Sequence, residues 1–156
     1  MDLELENARE VSENAKRLNR KLHETCISHR IAHYLENELE DTDYKDYSVD
    51  IEYNRFYGNF KILNTIKGQL AVRPDIIIHS RLDHTFDPQH LLVIEAKKEG
   101  ITNHDINKIK GFITDENYNY VFGLTVSYCS DETEIIAKLY YFNGTEIVNE
   151  NISEYK

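Results

Sequence analysis

The sequence predicts a mixed α/β fold, and three features carry that prediction. Ile76-Ile77-Ile78 and Leu91-Leu92-Val93-Ile94 are continuous apolar runs, the pattern of strands covered on both faces; a strand with one wet face alternates instead. From Asn7 to about Glu40 there is neither Gly nor Pro, and good helix formers dominate, which predicts one long helix or two nearly collinear ones. A second helical pattern follows the Leu91 run, with Ile106, Ile109 and Ile113 spaced for one face. The predicted order is helix, three strands, helix, two strands, a mixed central sheet flanked by helices.

The first helix carries Leu18, Leu22, Ile27, Ile31, Leu35 and Leu39 at mostly three- and four-residue steps, a core-facing stripe that ends at Asp41-Thr42-Asp43. Tyr47 to Tyr57 alternates, with Val49, Ile51 and Tyr53 on one side and Asp50, Glu52 and Asn54 on the other, as a half-buried strand does. Phe56 to Phe60 reads as a turn or bulged hairpin around Gly58, and Ile62 to Ala71 fits either a short helix face or an irregular strand. Ser80 to His90 is a polar surface loop between the two apolar runs. Asn103-His104-Asp105 can cap the second helix. Val121 to Tyr128 and Ile135 to Phe142 are the last two strands, followed by an Asn143-Gly144 turn and a short tail.

At 156 residues the chain is expected to form a single domain, 1–156, with an N-terminal helical segment at about 7–40. Cys26 and Cys129 have no metal-ligand spacing and read as buried thiols of a reducing compartment. The start Met1-Asp2-Leu3-Glu4 has no signal-peptide pattern and no apolar run spans a bilayer, so a cytoplasmic protein with no membrane association is expected. Eighteen basic residues against 28 acidic ones give a net charge of -10, which argues against nonspecific coating of a polyanion. It leaves local phosphodiester chemistry open.

Glu24 lies three residues before Ile27 and seven before Ile31, on the core side of its helix, where a carboxylate needs a partner. Asp75 precedes one apolar strand and Glu95 ends the other. If those strands run antiparallel, the two acids meet at one edge of the sheet. Lys97, two residues past Glu95, lies on the same strand face as Glu95. Two carboxylates that repel each other favour a divalent cation, and oxygen ligands favour magnesium or manganese. With a neighbouring amine, such a set can activate water against a phosphate ester. The plainer reading is a turn-capping Asp75 and a strand that ends in solvent at Glu95 and Lys97.

Arg73-Pro74-Asp75, an apolar strand, a loop, and an apolar strand ending Glu95-Ala96-Lys97 together resemble the PD-(D/E)XK nuclease superfamily, with its restriction-endonuclease-like fold. The likeness is to small stand-alone prokaryotic members. It extends to His23-Glu24-Thr25 and His29-Arg30-Ile31-Ala32 in the first helix, to Val49-Asp50-Ile51-Glu52-Tyr53-Asn54-Arg55, and to Asp105-Ile106-Asn107-Lys108 with Ile109-Lys110-Gly111 behind it. The resemblance covers about Leu22 to Tyr128. It implies catalytic residues Glu24, Asp75, Glu95 and Lys97, with Asp75, Glu95 and Glu24 as metal ligands for Mg2+, Mn2+ substituting. Glu52, Asn54 and Arg55 match a supporting stretch.

The implied activity is metal-dependent hydrolysis of nucleic acid, most directly endonucleolytic cleavage of DNA by a metal-activated water. The alternative is a noncatalytic acidic module that keeps the nuclease-like fold and binds protein, an option the -10 charge favours. Many members of the resembled superfamily are basic or fused to a DNA-targeting domain, and against them this acidic chain is expected to work as a homodimer or with a partner subunit. Lys97, Lys98, Lys108 and Lys110 supply a local positive patch for phosphate. His29 and His33 stand at i,i+4 but without an HExxH pattern, and the other histidines lack ligand spacing. Tyr118 and Tyr120 are expected in the core or at its rim.

Overall fold

A computed structural model describes residues 25–53, 55–56, 59–65, 68–81, 85–128 and 135–153. Helix α1 covers 25–40 of these residues. It stops where Thr42 turns its amide and its hydroxyl onto the Leu39 carbonyl, at 3.0 and 2.9 Å, closing the last turn of the Asp41-Thr42-Asp43 segment.

The central sheet has six strands in the order β1-β6-β7-β8-β9-β10. These are β1 (Ser48–Ile51), β6 (Ile76–His79), β7 (His90–Lys97), β8 (Phe122–Tyr128), β9 (Ile135–Phe142) and β10 (Ile147–Asn151). Among the described residues only the β7–β8 pair is parallel, and α2 (Asn103–Thr114) makes that crossover. Two small hairpins, β2 (Arg55–Phe56) with β3 (Asn59–Phe60) and β4 (Ile62–Thr65) with β5 (Gly68–Ala71), fill the chain between β1 and β6. The result is a small α/β fold, a mixed central sheet flanked by two helices.

One layer of core lies on each face. Ile31, Ala32, Leu35 and Leu39 of α1 pack on Val49, Ile76, Ile78 and Ile94. Ile109, Phe112 and Ile113 of α2 pack on Ile77, Val93, Tyr118, Tyr120 and Tyr140. Cover on both faces is why all four residues of β6 are buried and why the pattern there is continuous rather than alternating. The capping box of α2 is built by Thr102, whose hydroxyl accepts from the Asp105 amide while the Asp105 carboxylate accepts from the Thr102 amide. Close approach of α2 to β8 depends on Gly123: a Cβ there would stand 2.4 Å from Ile109 Cγ2 and 3.3 Å from Ile113 Cδ1. Gly123→Ala is therefore expected to lower unfolding free energy in urea by about 1–3 kcal/mol through overpacking. Wild-type stability in that variant would mean α2 shifts at no cost.

Several expectations are corrected. Val49 and Ile51 face α1, but Tyr53 joins the α2 layer. Glu52, with φ of 48°, breaks the alternation between them. The segment past Asn143-Gly144 is a sixth sheet strand, β10, paired antiparallel with β9. Cys26 is exposed, because its helix position faces solvent; Cys129 lies outside the described residues. Among the described residues no helix is long and apolar enough to cross a membrane.

Candidate functional site

Antiparallel pairing of β6 with β7 sets Ile76 opposite Ile94, which brings Asp75, just before β6, beside the end of β7. Asp75 Oδ2 accepts the Ala96 amide at 2.9 Å and pairs with Lys97 Nζ at 3.5 Å. Lys97 Nζ also stands 3.7 Å from Glu95 Oε2. From the other side, Lys108 of α2 brings its Nζ to 2.6 Å from Glu95 Oε1 and donates to the Arg73 carbonyl at 2.9 Å. Two acids and two amines thus close on one corner of the sheet. Glu95 forms its floor at 0% exposure, while the side chains of Asp75 and Lys97 are 24% and 35% exposed at its mouth.

Burial and the nearby Asp75 charge push the Glu95 carboxyl up to about 7, although Lys108 and Lys97 pull the other way. Lys108, at 2.6 Å, meets Glu95 as a charge-assisted hydrogen-bond partner, whereas Lys97 at 3.7 Å acts on it as a charge. Burial alone would lower the Lys97 ammonium, but Asp75, Glu95 and Asp105 together hold it above the ordinary lysine value. An acid that exchanges its proton near neutral pH beside a cation held protonated is chemically suited to proton transfer at an anionic substrate.

Of the predicted residues, Asp75, Glu95 and Lys97 converge. Glu24 and Asn54 lie outside the described residues, and Arg55 opens β2. Glu52 sits at the rim: its amide donates to the Asp75 carbonyl at 2.9 Å, and its carboxylate points to Arg73 at 3.7 Å. With 48% and 59% of those side chains exposed, that pair contributes little to stability. The left-handed φ of Glu52 is strained for a residue with a Cβ and costs roughly 1–2 kcal/mol.

The expected Mg2+ or Mn2+ site is overturned. Among the described residues no group of three or more His, Cys, Asp or Glu side chains is placed to hold a metal ion. Among the described residues only Asp75 and Glu95 share the Lys97 ammonium at this corner, Glu52 turns to Arg73, and the buried charge of Glu95 is already answered by two ammonium groups. The donor set does not fit a resident divalent cation.

Lys108, expected as part of a phosphate-facing positive patch, turns inward to the Glu95 carboxylate. Its i,i+3 relation to Asp105 marks a helix face, but its reach to Arg73 spans 35 positions that no local pattern encodes. A second polar centre, which the sequence reading did not single out, lies toward the opposite end of β7, roughly 17 Å from Glu95 to His90 at 3.3 Å per residue. There His79 Nε2 lies 2.8 Å from Asp50 Oδ2, and Arg81 donates to both Asp50 oxygens at 3.0 and 2.8 Å. The His79 bond, with further help from Arg81, brings the Asp50 carboxyl down to about 2 against the effect of burial. His90 stacks at 6.4 Å from His79, and burial together with the Lys61 charge lowers it to about 4.

No protein-family model matches the chain, and no curated protein sequence matches it.

Proposed function

We propose that this chain hydrolyses phosphodiester bonds of nucleic acid, DNA being the leading substrate class, at the Asp75, Glu95, Lys97 and Lys108 corner of a restriction-endonuclease-like core. The observation that supports the reading is the meeting of Asp75, Glu95 and Lys97 at one sheet edge, with the Ala96 amide anchoring Asp75 at 2.9 Å. Lys97, at the mouth of the site, offers its ammonium to a phosphate oxygen. Asp75, the more open acid, orients a water, and Glu95 behind it holds or releases a proton near neutral pH.

The noncatalytic acidic interaction module is the second reading. It is favoured by the complete burial of Glu95 between two ammonium groups and by the -10 net charge.

Labelled duplex DNA, single-stranded DNA and RNA, each in divalent-salt buffer and in chelator, distinguish the two. Cleavage of at least one substrate is expected, with a fall of about 10²-fold or more in Asp75→Asn at unchanged melting temperature and in Lys97→Ala at a temperature where that variant is folded. Asn keeps the acceptor that the Ala96 amide uses, so the fold is not the variable. Cleavage that persists in Asp75→Asn would remove the catalytic assignment. No cleavage of any substrate would favour the interaction module.

A further inference from the structure

Three elements meet at the Lys108 ammonium. Helix α2 carries the lysine, β7 brings Glu95 Oε1 to 2.6 Å from Nζ, and the segment before β6 brings the Arg73 carbonyl to 2.9 Å. A carboxylate oxygen and a backbone carbonyl from distant parts of the chain thus converge on one cationic atom. That is the donor chemistry of a hard-cation site, with an ammonium at its centre. The lysine is not a loose surface side chain: it is 13% exposed, and the neighbouring Ile109 and Phe112 are fully buried. The Thr102 and Asp105 capping box fixes the start of the same helix.

The other described charges at the corner have partners of their own. Lys97 Nζ stands 3.5 Å from Asp75 Oδ2 and 3.7 Å from Glu95 Oε2, so each Glu95 oxygen faces its own ammonium. Asp105, the third described acid near the two lysines, accepts from the Thr102 amide and hydroxyl at 2.8 and 2.7 Å. Glu52 pairs with Arg73 at 3.7 Å. A divalent cation entering beside Glu95 therefore meets two like charges. Magnesium needs its oxygens at about 2.0–2.1 Å, and reaching Glu95 Oε1 at that distance displaces Lys108.

We propose that Lys108 is a built-in counter-ion filling a latent divalent-cation site made by Glu95, the Arg73 carbonyl and Asp75, so that the corner works without a metal ion and becomes a metal site only when that ammonium is removed. Lys108 is then a positioning residue. Its one charge ties the buried acid of β7 to the Arg73-Pro74-Asp75 segment, which carries the second acid to the mouth of the site. What this implies for cleavage rests on the hydrolytic reading above; what it implies for metal binding does not.

Melting temperatures at pH 8, in chelator and in millimolar manganese chloride, test the counter-ion for the wild type, Lys108→Met, Glu95→Gln and the double variant. Manganese should raise the melting temperature of Lys108→Met by about 3–8 °C, and the double variant should lose that rise. The wild type should respond no more than Glu95→Gln, whose response measures manganese held elsewhere on the acidic surface. A rise in the wild type that Glu95→Gln removes, or no rise in Lys108→Met, overturns the proposal. If Lys108→Met is unfolded in chelator, folding regained in manganese supports it; if it is unfolded in both, the wild type against Glu95→Gln decides. Where the wild type cleaves nucleic acid, its rate should be the same in chelator and in manganese, and a rate abolished by chelator overturns the counter-ion role. Absence of any cleavage counts against the hydrolytic reading alone, because the melting temperatures still decide the counter-ion.

Discussion

Lys108→Met should lower the unfolding free energy at pH 8 by about 3–5 kcal/mol, the range for removing one partner of a buried ion pair. The contact it breaks is 2.6 Å long, its Glu95 side is fully buried, and its lysine side is 13% exposed. Loss of Lys108 also leaves the Arg73 carbonyl without the donor it has at 2.9 Å. The cost arises from an uncompensated buried charge, so two further results follow. It should shrink at pH 5.5, where Glu95 carries its own proton, and the double variant Lys108→Met/Glu95→Gln should be more stable than Lys108→Met alone. Urea denaturation of the four proteins of the cycle measures both. A cost for Lys108→Met below about 1 kcal/mol at pH 8 would make the contact an ordinary surface pair and remove it from the site.

In the wild type, stability should be nearly level between pH 4.5 and 6.5, because two buried groups act in opposite directions. His90 is lowered to about 4 from 6.5, so the unfolded chain binds the extra proton and this contribution is lost as pH falls through that interval. Glu95 is raised to about 7 from 4.5, so the folded chain keeps the extra proton and its contribution is lost as pH rises. Each spans close to 2.5 pH units, or about 3 kcal/mol. Glu95→Gln leaves His90 unopposed, and its stability should climb by about 3 kcal/mol from pH 4 to 6.5. His90→Gln should show the reverse, a decline from pH 4.5 to 7. Parallel profiles for the two variants would show that the groups do not titrate in these environments. Below pH 4 both variants should lose the Asp50 pairing, since a carboxyl held at about 2 stabilises the fold only while ionised.

Local features of the chain were legible wherever burial alone specifies them. Ile76 to Ile78 and Leu91 to Ile94 declared two interior strands through unbroken apolar runs, and the Ile106, Ile109 and Ile113 spacing declared α2. The pairing of Asp75 with Glu95 and Lys97 followed from strand ends plus one assumption, antiparallel pairing, which the sheet satisfies. Periodicity also placed the α1 stripe, of which Ile31, Leu35 and Leu39 pack on the sheet.

What only the tertiary structure decided depends on partners distant in the chain. Lys108 meets Glu95 across the β7–α2 turn, and Lys61 meets Tyr120 across 59 positions; a residue's own neighbours say nothing about either contact. Glu52 redirects Tyr53 to the other layer through a single backbone angle, and a polar/apolar pattern does not encode such an angle. The expected metal site failed for the same reason. Lys97 was legible from its strand position, but counting carboxylates along the chain does not show that Lys108 turns inward to Glu95, and charge compensation is a property of the assembled corner. Sequence periodicity therefore determined which segments are buried, whereas the fold's long-range packing decided which charges meet there.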